Sequence, residues 1–233
     1  MANDIFDLAE LAAYLHMDAA LVSKMAERGK LPGRKVGGQW RFAHAEIHHW
    51  LEERIGVWDD AELARLEGAL DRVAPHEFTL AEMLPVSAVG VPLQARTKSS
   101  VISAMCSLAA ATGSLWDPEA MAEQVRQRED LYPTALETGV ALLHPRRPQT
   151  GILAQPLLAL GITGQGIPFA SGRGMTDVFF LICSVEDRGH LQMLARLSRL
   201  IGTPGVMAAL RAAPDAPSAR DVLLDAEGTL KEA

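Results

Sequence analysis

Three short apolar runs limit what most of this 233-residue chain can fold into: GVALL at 139–143, LLALGI at 157–162 and DVFFLICS at 177–184. Each has strand length and is bounded by glycine, proline or polar residues, which predicts a β-strand. Helical patterns surround them. Residues 99–111 form one, stopped by Gly113, and residues 118–128 form another, with Asp117 as the cap and Pro118 in the first turn. A third begins near Asp187 and carries Leu191, Leu194, Leu197 and Ile201 toward a core, with a smaller helix at 204–212. Strands interleaved with helices predict an α/β domain whose helices pack on a mixed sheet. The longest apolar stretch, GILAQPLLALGI, has 12 residues, too few to cross a bilayer core of ~30 Å.

The first 55 residues have a different character. DLAELAAYLH spaces Leu8, Leu11, Ala12 and Leu15 at helical intervals behind Asp7. A second helix is predicted behind Asp18, with Leu21, Val22 and Met25 on its inner face and a stop at Gly29 and Pro32. In GRKVGGQWRF, Gly37-Gly38 between two basic segments is a two-residue hairpin signal. AHAEIHHWLEERI then closes the unit as a helix with Ile47, Trp50 and Leu51 inward. From Ser23 to Arg41 there are six cations (Lys24, Arg28, Lys30, Arg34, Lys35, Arg41) against Glu27, a local charge of +5 in a chain of net charge −7. The overall charge excludes a protein that coats nucleic acid or anionic membrane throughout, but a local basic patch is compatible with phosphate contact.

The order helix, turn, helix, GKLP, basic hairpin, helix resembles the excisionase-type winged helix-turn-helix DNA-binding domain, a relative of the MerR family. That resemblance implies a DNA partner met by Ser23, Lys24, Arg28, Lys30, Arg34, Lys35, Gln39 and Arg41. Lys35 and Arg41 suit phosphate, and Ser23 and Lys24 suit base edges. The alternatives are a helix-turn-helix that binds protein and a merely solvated basic face.

Residues from about 78 to 213 resemble an enzyme IIA domain of the bacterial phosphotransferase system, of the fructose/mannitol and nitrogen-regulatory type. The match is carried by QREDLYPTALETGVALLHPRRP and by DVFFLICSVEDRGHLQMLARLSRL. It implies that His144 is a phosphoacceptor, His190 its neighbour, and Arg128, Thr134 and Arg146 supporting residues. The implied donor is a histidine phosphocarrier protein, and transfer between two histidines needs no metal or cofactor. Taken without the family, His144 could equally be the structural end of a buried strand. Three places depart from the family pattern: Leu143 before the histidine, Pro145 after it, and Tyr132-Pro133 upstream. Pro145 has no backbone N–H to offer a phosphate.

The expected architecture is therefore multidomain, with a winged helix-turn-helix at 1–55, a helical connector at 56–76 and the α/β domain at 77–233. Leu63, Leu66, Leu70 and Val73 stripe the connector, as a helix packed on a neighbour or as the seam of a homodimer. Cys106 and Cys183 lie inside apolar segments, as buried thiols of a cytoplasmic protein do. The glycine-rich GITGQGIPF and ASGRGMT lack a P-loop ending and read as turns around short strands. His44, His48 and His49 form a weak metal candidate, since adjacent helical residues do not share a face. The expected function is a DNA-binding transcriptional regulator phosphorylated on His144. The alternatives are a phosphocarrier passing phosphate to a sugar permease component and an interaction protein that is never phosphorylated.

Overall fold

A computed structural model describes residues 5–15, 17–55, 63–64, 79–131, 133–170 and 174–232. The chain divides into two compact units, Met1–Pro75 and His76–Ala233. Of the connector stripe only Leu63 is described, and it is buried. Leu66, Leu70 and Val73 lie outside the described residues.

The first unit contains β1 (Ile5–Phe6), α1 (Leu8–Leu15), α2 (Ala19–Glu27), β2 (Arg34–Val36), β3 (Gln39–Ala43) and α3 (His44–Ile55). Asp7 begins α1 with a reciprocal cap. Its carboxylate accepts from Glu10 N at 2.9 Å, and its own N–H donates to Glu10 Oε2 at 2.8 Å. Asp18 caps α2 by accepting from Ala20 N at 2.8 Å. Gly37 and Gly38 both take positive φ, 59° and 78°. This is the twist that a tight hairpin between β2 and β3 demands and that other residues resist. The strands form a three-stranded antiparallel sheet in the order β1-β3-β2. Phe42, Leu11, Ile47 and Leu51 bury beneath it, and the Trp50 indole N–H donates to the Lys30 carbonyl at 2.8 Å. One expectation fails. Leu21 faces solvent, and the inner face of α2 is Val22 and Ala26, one helical turn apart.

The second unit opens with α4 (Leu80–Met83), a short 3₁₀ turn and β4 (Val89–Gly90), then α5 (Lys98–Ala111) and α6 (Pro118–Leu131). There follow β5 (Val140–Leu143), β6 (Leu157–Pro168), β7 (Met175–Cys183), α7 (Asp187–Gly202), α8 (Val206–Ala212) and α9 (Ala216–Glu232). The strands form one mixed sheet in the order β4-β6-β7-β5. The two outer pairs are parallel, and β6 and β7 are antiparallel. Helix α5 packs on β6 and β7, α7 on β7 and α9 on β4. Val178 to Cys183 are all buried, because a strand covered on both faces reads as a continuous apolar run.

GITGQGIPF is not a turn. It continues β6, whose pairing with β7 is irregular between Ile162 and Ile167. Thr163 Oγ1 bridges that irregularity by donating to Gln165 O at 2.8 Å. Of ASGRGMT, residues 171–173 lie outside the described residues. Gly90 and Gly161 pair across β4 and β6. A Cβ on Gly161 would lie 2.6 Å from Met105 Sδ, and one on Gly90 would lie 2.9 Å from Leu108 Cδ1. This glycine pair lets α5 approach the sheet closely.

Burial pushes the Cys106 thiol up to about 12 and raises Cys183 as well, with Cys106 adding to the effect. Both are core side chains rather than nucleophiles. Helices α7 and α9 are joined by the ion pair Arg196 Nη1–Glu227 Oε1 at 3.0 Å, both side chains 9% exposed. Arg196→Met should cost about 3–5 kcal/mol, since it breaks a buried ion pair by removing one member. The double variant with Glu227→Leu should recover most of that loss in urea titrations.

Candidate functional site

The parallel register of β5 on β7, with Leu143 opposite Leu181, sends both strands out at one sheet edge. His144 follows β5 directly. Ser184 follows β7 and leads through Glu186 into α7, where His190 occupies the first turn. The His144 and His190 rings meet with centroids 4.8 Å apart and planes at 56°. The two residues are 2% and 4% exposed. The loop after His144 is fastened to the end of β7, because Gln149 N donates to Ser184 O at 3.1 Å.

His144 Nδ1 lies 2.8 Å from the Leu142 carbonyl oxygen. A carbonyl only accepts, so Nδ1 carries the hydrogen. In the neutral ring the lone pair is then on Nε2, which is buried. The backbone of β5 thereby selects the nucleophilic nitrogen. His190 lies at the end of α7 where the backbone partial charge is positive, a setting that favours an anion.

Thr134 is held next to this strand end. Residues 134–136 fold back on 140–142, with Leu142 N donating to Thr134 O at 3.5 Å and Leu136 N to Val140 O at 2.7 Å. Glu129, buried on α6, accepts from Thr134 N at 3.0 Å and from Thr134 Oγ1. Lys98 Nζ neutralises it at 3.2 Å and lies 5.3 Å from the Phe169 ring centroid. At the other end of the turn, Arg211 donates to Asp177 Oδ2 at 2.8 Å and to Thr138 O at 2.7 Å. The Asp177 bonds hold the Arg211 guanidinium above its ordinary range. Arg128 is buried beside Glu129 in sequence, whereas Arg146 is exposed on the bend beyond Pro145. The structure thus brings together His144, His190 and the Thr134 turn. Glu129 and Lys98 were missed from the sequence, although the Arg-Glu pair in QREDLY carried the signal for Glu129.

In the first unit the predicted DNA-facing residues all reach the surface. Lys24, Arg28, Lys30, Arg34, Lys35 and Gln39 are exposed, and Ser23 and Arg41 are half-buried. Arg41 Nη2 donates to Gln39 Oε1 at 3.0 Å, Arg34 pairs with Glu46 at 2.9 Å, and Lys35 Nζ stands 5.1 Å from the Trp40 ring centroid. Among the described residues no group of three or more His, Cys, Asp or Glu could hold a metal ion. No described helix is long and apolar enough to cross a membrane.

A family model described as "Phosphoenolpyruvate-dependent sugar phosphotransferase system, EIIA 2" matches residues 82–226, and one described as "Helix-turn-helix domain" matches residues 5–55. The chain is 30% identical over 152 residues to the "Nitrogen regulatory protein" of Bradyrhizobium diazoefficiens, covering 62% of this chain and 94% of that protein. It is 27% identical over 125 residues to the "PTS system fructose-specific EIIABC component" of Bacillus subtilis, covering 52% of this chain but only 19% of that longer protein. Among solved structures it is similar to nitrogen regulatory protein IIA-Ntr from Neisseria meningitidis, with TM-score 0.53, 23% identity, and coverage of 61% of this chain and 97% of that one. IIA mannitol from Escherichia coli gives TM-score 0.53 at 17% identity, with coverage of 60% and 97%. At these identities the solved structures establish the shared fold.

The tautomer is directly measurable. Long-range ¹H–¹⁵N correlation of the imidazoles at high pH should give the His144 Nδ1 the shift of a protonated nitrogen and Nε2 that of a bare one. The reverse pattern would remove Nε2 as the attacking atom.

Proposed function

The chain belongs to the phosphoenolpyruvate-dependent sugar phosphotransferase EIIA 2 family and carries a helix-turn-helix domain, and on that footing we propose that it is a DNA-binding regulator phosphorylated on His144. The observation that carries the reading is the buried pair of histidine rings 4.8 Å apart, one with Nδ1 held by the Leu142 carbonyl. The donor is a phosphohistidine on a carrier protein. The Nε2 lone pair of His144 attacks phosphorus in line, the new P–N bond forms, and the donor's P–N bond breaks. The donor imidazole leaves with that electron pair. His144 keeps its Nδ1 hydrogen, and the Leu142 carbonyl stabilises the positive ring that results. His190 and the start of α7 supply hydrogen bonding and partial positive charge for the phosphoryl oxygens. Glu129 acts one step back, holding the Thr134 turn against β5. Pro145 leaves the site without one backbone donor, which shifts more of the work to these side chains.

The regulatory reading, rather than onward transfer to a permease component, is favoured by the clustered charge of the first unit and by the likeness to a protein named a nitrogen regulatory protein. The coupling we propose is electrostatic. A phosphoryl group brings nearly two negative charges, and the segment from Ser23 to Arg41 carries +5.

Incubated with a phosphorylated histidine carrier, the wild-type chain should acquire one acid-labile phosphate. His144→Ala should acquire none while keeping its circular dichroism. His190→Ala should accept it about 10²-fold more slowly, the cost of removing one stabilising donor. Labelling of His144→Ala at the wild-type rate would reject the assignment.

Duplex DNA should bind with a log–log salt slope of roughly −3.6 for about four phosphate contacts. Phosphorylation should weaken binding by a factor within the usual coupling range, about 5–150-fold. Equal dissociation constants with phosphorylation verified would leave a phosphocarrier without a switch.

A further inference from the structure

The first unit exposes three large apolar side chains among its described residues, Ile5, Leu21 and Val36. Two of them stand among the cations. Val36, 58% exposed, ends β2 next to Lys35. Leu21, 46% exposed, lies on α2. A single exposed leucine is ordinary on a protein surface, so position must carry the argument. At ~100° per residue, the exposed face of α2 centres on Lys24, with Ala20 and Leu21 on either side and the start of the Arg28 turn below. Val22 and Ala26 occupy the opposite, buried face. Ser23, half-buried, stands at the margin. The N-terminal half of this helix therefore presents an aliphatic and a cationic side chain together on its exposed face, with the half-buried Ser23 at its edge and no amide or carboxylate among residues 19–24.

That set has a definite match in duplex DNA. In the major groove of B-DNA the one apolar feature is the thymine C5-methyl group, and a lysine pairs with guanine O6 and N7. The N-terminal residues of the second helix are those that meet base edges in a helix-turn-helix. Phosphate offers nothing to an isobutyl side chain. We propose that Leu21 is a base-reading residue that packs on a thymine methyl in the major groove, beside a guanine contacted by Lys24. The DNA chosen by this chain then carries thymine at the position facing Leu21. The inference rests on the DNA-binding reading above and adds the chemical feature that is read.

The test begins with selection of the tightest duplex from a random library by the full chain at low salt. Each thymine of that duplex is then replaced, one at a time, by deoxyuridine, which lacks only the methyl. At the thymine facing Leu21 the wild-type chain should lose about 3–5-fold in affinity, the factor expected for one buried methyl. Leu21→Ala should bind the thymine duplex more weakly by a similar factor and be indifferent to deoxyuridine at that position. Because Leu21 lies away from the buried Val22 and Ala26 face, this variant should keep the circular dichroism and cooperative unfolding of the wild type. Deoxyuridine losses that are equal in wild type and Leu21→Ala, or absent at every position, would overturn the role of Leu21 while leaving DNA binding intact. Failure to enrich any duplex would overturn the DNA-binding reading itself and this inference with it.

Discussion

The parallel pairing of β5 with β7 is the constraint on which the second unit's site depends. In a sheet, parallel neighbours end at the same edge, so the residues that follow them must meet there. Here those residues are His144, one step beyond β5, and the Ser184 turn that starts α7. If the pair were antiparallel, His144 and His190 would leave from opposite edges and no ring contact would form. Burial makes the register firm, because Val140 to Leu143 and Val178 to Cys183 are enclosed on both faces. A one-residue slip would exchange every side chain between the two faces.

Around that edge, backbone geometry does chemical work that side chains usually do. The tautomer of the histidine just past the end of β5 is selected by a main-chain carbonyl two residues earlier. The Thr134 turn is clamped at both ends by charge, from Glu129 with Lys98 on one side and from Arg211 with Asp177 on the other. The Glu129 clamp is buried, so water competes little for its hydrogen bonds. The Arg211 clamp is partly solvated and correspondingly weaker.

The first unit is organised by contrast around a thin core. Eight to twelve residues per helix leave each of α1 to α3 able to bury only one stripe, so most of α2 and the hairpin remain surface. That economy is what keeps the six cations and Leu21 at the surface. It also shows why helical periodicity alone misplaced Leu21. Leu21, Val22 and Met25 lie on adjacent sectors of a helix, and only the packing of α2 on α1 decides which sector is inside.

Much of both units was legible in the residues themselves. Caps at Asp7, Asp18 and Asp117, the Gly37-Gly38 turn and the apolar strand runs are local signals, since each acts within a few residues. They determined the helices and hairpin of the first unit and the strand–helix alternation of the second, and the motif around His144 marked the candidate residue. Helix α9 and β4 left no comparable mark: α9 has few large apolar residues and is held by Arg220 on the Ala81 and Leu84 carbonyls and by Glu227 on Arg196, while β4 has two residues. The continuation of β6 through GITGQGIP was hidden for a related reason, because its glycines weaken the local pattern and only pairing with β7 keeps them extended. Strand order, the meeting of His144 with His190 across 46 residues of chain, and the outward turn of Leu21 are all long-range outcomes. Sequence spacing determines which side chains share an element; which elements share an edge is decided by burial of the whole sheet, and that exists only in the folded chain.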